Sequence, residues 1–358
     1  MTAASARGPR SVGRTAPAIA GVEIAAGVVR AVVARREDTR LRVIGKGETT
    51  LAGSAVVGGL VVDRAAVAAA LELALSPAER AQRAERLVVA IDGDDVRTYH
   101  TSTSFEREDS ASPVAIGEVT RATRDATAAA ARSATVAVEE DPALRGVATA
   151  RLHDDVAGLW LDGRPLDSLV GHRGRIVQVR SDVSVAPLVL SGAAVSALEA
   201  ARRRGSIVSG AYALGRLLGS SQFSDGGVIR LGTDVTAVAI LREGRVAATR
   251  AFGLGRAALE ARPDLVLSDA RVWADCVLAS LRGLDGLPPQ RWVFSGVPEG
   301  LIALPQALGE VIGEVRGGDV EITPLAVSLV SRAYGDVPLR ADDLVAVGAA
   351  ALGAELYA

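Results

Sequence analysis

The chain has 358 residues, 49% of them hydrophobic and 23% charged, with a formal net charge of −2. That is enough for two domains with sizeable cores, and it gives no whole-chain reason to expect nucleic acid as a partner. No run of roughly 18 uncharged apolar residues occurs, so no membrane span is expected. A single cysteine, Cys276, excludes an intramolecular disulfide framework and points to a reducing, cytoplasmic setting, while three histidines without a CxxC pair argue against zinc.

Residues 1–17, MTAASARGPRSVGRTAP, are small, polar and basic, and read as an untethered tail. Two other readings are a signal-peptide leader and an arm on anionic lipid. Glu23 and Arg30 interrupt the apolar stretch that a leader would need. Ala20 to Gly47 then reads as strand, small-residue turn, strand, charged turn, strand. Asp63 is placed to cap a helix from Arg64 to Leu75, and Ser76-Pro77 restarts a short one. Leu87 to Ile91 is an apolar run suited to a buried strand. Asp92-Gly93-Asp94-Asp95 closes it as a solvated turn rather than a metal site.

From Arg97 to Ala186 the texture becomes polar and glycine-punctuated. Strands are expected at Thr98–Phe105, Val147–Leu152, Val156–Leu161 and Arg175–Val185, with a helix at Ile116–Ser133. Leu188 to Gly192 reads as a return to a buried strand, followed by a helix from Ala193 to Arg204 that Gly205 ends. GGVIRLGTDVTAVAILREGRVAATRAFGLG, Gly226 to Gly255, repeats the three-stranded pattern of the N-terminal unit at a separation of roughly 200 residues, which suggests an internally duplicated, two-lobed α/β protein. In the helix at Asp269–Leu281, Val272, Trp273, Cys276, Val277 and Leu281 form a core stripe. His153-Asp154-Asp155 reads as a polar strand end rather than a catalytic group. No Walker loop, GxSxG or HExxH is present.

Several of these segments in order resemble the bacterial actin-like cell-division protein family FtsA. GVEIAAGVVRAVVARREDTRLRVIGKG is similar to its first phosphate-loop hairpin, and VVGGLVVDRAAVAAAL to the segment after it. LWLDGRPLDSLVGHRG (159–174) and VSVAPLVLSGAAVSALEAARRRG (183–205) resemble its inserted subdomain and the return from it. The Gly226–Leu241 hairpin resembles the second phosphate loop, WVFSGVPEGLIAL (292–304) the adenosine-contacting strand and turn, and VAVGAAALGAEL the closing helix. The pilus-assembly protein PilM shares this plan. The resemblance implies an actin-like two-lobed (duplicated ribonuclease H-like) α/β fold with a small β/α subdomain inserted in the first lobe. Its implied division is a tail at 1–17, a first lobe at 18–96 and 187–222, an insertion at 97–186 and a second lobe at 223–358.

The resemblance also implies a nucleotide cleft made by Glu23, Ala26, Gly27, Arg230, Gly232, Thr233, Asp234, Ser295 and Gly296. In such a fold an acid on each phosphate-loop strand supports Mg²⁺, while glycine and hydroxyl-bearing turns offer N–H groups to phosphates. Here the first turn, Ala25-Ala26-Gly27, has no hydroxyl, and Arg230 stands where the second acid belongs. A degraded site is expected, with no cofactor needed, and Glu23 and Arg230 are expected to pair across the lobes as a clamp. The alternatives are an ATP-binding switch in which Thr233, Asp234 and Thr236 take over Mg-ATP contacts, and a sugar or acetate kinase, for which no base stands out. Fewer than 40 residues separate Gly255 from Trp292, where the family carries the subdomain implicated in contacting the tubulin-like protein FtsZ. Direct FtsZ binding is therefore not expected, nor is membrane attachment through a C-terminal amphipathic helix. The expectation is a scaffold that meets cell-division or envelope-assembly proteins, self-associates through 97–186, and reaches the membrane through a partner.

Overall fold

The computed structural model describes residues 16–284 and 286–356; the basic tail of the sequence reading lies almost wholly outside them. In chain order the elements are β1 (Ile19–Ala25), β2 (Val28–Glu37), β3 (Arg40–Thr50), the small hairpin β4 (Val56–Val57) and β5 (Leu60–Val61), α1 (Arg64–Ala78), β6 (Arg86–Ile91), β7 (Arg97–Glu106), α2 (Ile116–Glu140), β8 (Thr149–Leu161), β9 (Arg164–Leu166), β10 (Ile176–Pro187), α3 (Leu188–Ala200), β11 (Gly205–Ser209) and α4 (Gly210–Gly219). There follow β12 (Gly226–Leu231), β13 (Thr236–Arg242), β14 (Arg245–Phe252), α5 (Arg256–Glu260), α6 (Val266–Ser280), β15 (Arg291–Ser295), α7 (Ala303–Arg316), β16 (Glu321–Pro324), β17 (Ala333–Gly335) and α8 (Leu344–Leu356), with short 3₁₀ turns between some of them.

Two sheets carry the same wiring. In the first the order is β11-β6-β1-β2-β3-β17, and in the second β14-β13-β12-β15-β16. In both, an antiparallel three-strand meander joins a parallel extension: β1 beside β6 and β11, and β12 beside β15 and β16. This is the duplication legible in the two hairpin units, and it makes the molecule two-lobed.

Central strands are mostly apolar because both faces are covered, with Glu23 in β1 and Arg230 in β12 as charged members. Alternate residues of β1 and β6 divide between two cores: Ile19, Val88 and Ala90 face α8, whereas Ala20, Val22, Leu87, Val89 and Ile91 face α1 and α3. The core around α8 is shared between the lobes. α4 follows β11 of the first lobe but packs on β13 and β14 of the second, and α8 follows the second lobe but packs on β1, β2 and β6 of the first. The crossing demands close backbone approach. A Cβ on Gly21 would lie 1.9 Å from the Ala346 carbonyl oxygen, and one on Gly348 would lie 2.4 Å from that of Ala213.

Between β6 and α3 the chain builds a separate four-stranded sheet, ordered β7-β10-β8-β9, with the small-residue face of α2 (Ala126, Ala130, Ala134) laid on it. Although inserted in the first lobe, it also grips the second. The Thr249 hydroxyl donates to Thr98 Oγ1 at 3.0 Å, Arg180 donates to the Val246 carbonyl, and Arg245 lies 4.3 Å over the Trp160 ring.

Several local expectations are corrected. Leu188–Gly192 is not a strand but the opening of α3, which runs from Leu188 to Ala200; the apolar run is short enough to suit either element, and Pro187 supplies a helix start. Gly205 begins β11 rather than capping a helix at Arg204. α1 continues through Pro77 without a restart, β8 is one strand where two were expected, and α2 extends to Glu140. On α6 the core face is Ala270, Trp273, Ala274 and Val277, while Val272 points outward and is 56% exposed.

Candidate functional site

Each of the two meanders ends its first strand at the seam between the lobes. β1 and β2 are joined by a tight turn in which Ala25 pairs with Val28 and Gly27 takes φ +83°, a conformation that glycine adopts without strain. β12 and β13 are joined by Gly232 to Val235, closed by a Gly232 N–H donating to the Val235 carbonyl at 2.9 Å. The two turns touch. Thr233 donates its hydroxyl to the Ala26 carbonyl at 2.9 Å, and the Gly58 N–H donates to the Asp234 carboxylate.

Beneath the turns, Arg230 of β12 forms an ion pair with Glu23 Oε1 of β1 across the lobes. Glu23 is 2% exposed. Its other oxygen accepts from Arg30 at 3.2 Å, and Arg30 is shared with Glu48 at 3.0 Å. Among the described residues no well-formed hydrogen bond serves Glu23 Oε1, so Arg230 is its charge partner. Burial pulls the Arg230 pKa down to about 10 against the pull of Asp342 and Asp234, and the guanidinium stays charged at neutral pH. Asp92, at the end of β6, lies 3.9 Å from Arg230 and accepts from the Ala211 N–H at the start of α4 at 2.8 Å. Burial pushes its pKa up to about 6.

The structure therefore brings together Glu23, Ala26, Arg230, Gly232, Thr233 and Asp234, around a residual cavity of about 10 Å³; that is at the lower limit for a single water. Gly27 stands beside them with its Cα side toward Thr233. Ser295 and Gly296 are not in this cluster. Ser295 pairs with Arg230 along the sheet and is buried, and Gly296 turns with φ +79° against Leu231. Asp92 and Arg30 are the members that sequence reading missed. The acidic turn at 92–95 was read as solvated, yet Asp92 follows a buried parallel strand, and the carboxyl ends of such strands are where α/β folds gather functional groups.

A second buried polar cluster ties the insertion to the crossing helices. The Tyr212 hydroxyl (α4) reaches Asp155 of β8 at 2.6 Å and Asp182 of β10 at 3.0 Å; Arg216 donates to Asp155 at 2.6 Å and to Glu355 of α8 at 3.1 Å. Burial opposes ionisation of Asp155, but Arg216 and Tyr212 outweigh it and hold its pKa below the ordinary value. The His153-Asp154-Asp155 segment is thus an interior part of a strand, not a polar end. The His153 ring lies 4.9 Å from that of Tyr212 at a tilt of 52°, and among the described residues its two buried ring nitrogens have no hydrogen-bond partner. Burial lowers its pKa to about 4. Between pH 6.5 and 4 the unfolded chain takes up a proton at His153 that the folded chain refuses, so stability falls on acidification by up to about 3 kcal/mol. Asp92 acts in the opposite sense over much of this range. His153→Phe is therefore expected to flatten the acid limb relative to wild type in chemical unfolding at pH 7, 6 and 5; an unchanged difference between the two proteins would contradict the assignment.

No protein-family model matches this chain, and no curated protein matches it. Solved structures do. A chain of the PilM–PilN type IV pilus biogenesis complex superposes with a TM-score of 0.56 at 17% identity, covering 94% of this chain and 98% of that one. The fold is actin-like. Weaker likenesses include the ethanolamine utilization protein EutJ of Carboxydothermus hydrogenoformans (TM-score 0.46, 12% identity, 95% of this chain and 91% of that one) and a nucleotide-free diol dehydratase-reactivating factor (0.47, 10%, 95% and 100%). At these identities the likeness extends to the fold alone.

Mg-ATP is the ligand that this fold suggests, and the residues at the seam bear on how it would be held. The turns that would face phosphates are hydrogen-bonded to each other, Arg230 stands where the resemblance leads one to expect a metal-supporting carboxylate, and about 10 Å³ remains between them.

Proposed function

We propose that this protein is an actin-like scaffold that neither hydrolyses nor requires ATP and works through protein–protein contact in envelope assembly or cell division, in the manner of the PilM and FtsA group. The observation that carries the reading is the Arg230–Glu23 pair, which joins the lobes where a metal and phosphates would otherwise do so. An actin-like ATPase alternates between open and closed lobes because its ligand is removable. A tethered guanidinium is not, so the closed form is favoured without any ligand and the surface it displays predominates.

Complex formation in the pilus assembly named above gives the assembly role its plausibility, and the described residues include no helix long and apolar enough to cross a membrane. Recruitment to the membrane through a partner follows from the proposal, with residues 97–186 as the self-association surface and FtsZ not a direct partner. The reading is tested by the thermal unfolding midpoint with and without millimolar Mg-ATP. A ligand at about 100 times its Kd stabilises by roughly 2.7 kcal/mol, a rise of several degrees for a protein of this size. No rise is expected. A clear rise would restore the switch reading and make Arg230, Thr233 and Asp234 phosphate contacts.

A further inference from the structure

A cavity of about 570 Å³ opens in the inserted sheet and shares no residue with the cleft. Its floor is apolar, with Phe105, Val114, Val119, Leu169 and Val177, and Ala122 of α2 forms part of the wall. Beside it runs β7. Among the described residues β7 pairs only with β10, so its other edge has no strand along it. From Thr98 to Phe105 it carries no Asp, Glu, Lys or Arg and no proline. Proteins usually blunt such an edge with charge, proline or a covering element. The first residues are covered by β14, through Thr98 and Thr249; farther along, Ser102, Ser104 and Glu106 are exposed, and the strand end at Phe105 and Glu106 lines the cavity.

We propose that this groove takes an extended segment of a partner protein, basic at its ends, which adds to β7 as a fifth strand and places one apolar side chain in the cavity. The main chain supplies the mode, since an open edge is complementary to another extended backbone and a flanking pocket selects a side chain. Charge selects the flanks. The rim carries Glu106, Glu108, Asp109, Glu118 and Asp125 against Arg107 and Arg121. Arg107 is engaged with Glu118 and with the Gly174 and Ser112 carbonyls, Glu106 with Arg175, and Asp125 with Arg124. Counting those outer arginines still leaves acid in excess, and Glu108 has no partner among the described residues.

The test uses the full chain and two labelled synthetic peptides with the same alternating Val-Thr core, one flanked by arginines and one by glutamates, followed by fluorescence anisotropy. The arginine-flanked peptide is expected to bind roughly tenfold or more tightly than the other, the preference shrinking in high salt. Glu108→Arg should narrow the preference, and Ala122→Trp should abolish binding of both peptides while leaving the unfolding midpoint in place. Equal binding of the two peptides, no binding of either, or full binding by Ala122→Trp would overturn the proposal. So would a dimer that Ala122→Trp converts to monomer, which would assign the groove to a second copy. A midpoint shift with Mg-ATP would overturn the scaffold reading without touching this one.

Discussion

Arg230→Ala is expected to destabilise the protein by about 3 kcal/mol, because it leaves the Glu23 carboxylate buried with one oxygen unserved. For a chain of this length that corresponds to a fall of about 4 °C in the unfolding midpoint. The size of the effect comes from the asymmetry of buried pairs. Forming one gains little over a well-packed apolar pair, but removing one partner exposes the full cost of burying the other charge. Arg30 cannot fully compensate, since it already serves Glu23 Oε2 and Glu48. The loss should also be local. Hydrogen exchange at the turns around residues 25–27 and 232–235 is expected to accelerate, while the strands behind them stay protected. A variant that loses less than about 0.5 kcal/mol, within the range of an ordinary surface change, would mean that Arg230 is dispensable.

Asp155→Ala is expected to cost about as much, and for a different reason. Asp155 is the shared acceptor of Tyr212 and Arg216, and through them it holds the insertion against the helix that crosses to the second lobe. Without it the Arg216 side chain, 17% exposed, retains Glu355 as its one acidic partner among the described residues. Asp155→Asn keeps the shape and removes the charge, so it separates packing from electrostatics. The native pKa of Asp155 is held below the ordinary aspartate value, so its contribution is complete above about pH 4 and is lost as the pH falls through the lower native value. The stability difference between wild type and Asp155→Asn is therefore expected to be largest near neutrality and to vanish in strong acid. A pH-independent difference would contradict the charge assignment.

Much of this fold could be read from sequence because it is written twice. The two hairpin units have turn glycines, charged second turns and β-branched strands in the same order, and their pairing partners are neighbours in the chain. The Glu23–Arg230 contact was legible for the same reason, since each residue could be placed relative to its own turn. What sequence did not show was anything decided by distant packing. Leu188–Gly192 is apolar enough for a strand, and its helical state is fixed by seating on α1 and the small hairpin. Asp92 looked like part of a solvated turn, and the approach of the α4 N-terminus, Gly59 and Arg230 covers it. The cluster of Tyr212, Asp155, Asp182 and Arg216 draws on three elements that no local pattern connects, and the crossing of α4 and α8 has no signal beyond the glycines that permit it.

The most direct test of the lobe clamp is a double-mutant cycle on Glu23→Gln and Arg230→Met, with unfolding free energies measured by denaturant at pH 7. The account predicts that the two changes together cost at least about 2 kcal/mol less than the sum of their separate costs, because the second change removes the group that the first leaves unpaired. Additivity within about 0.5 kcal/mol, the behaviour of independent sites, would show that the two residues do not hold the lobes together.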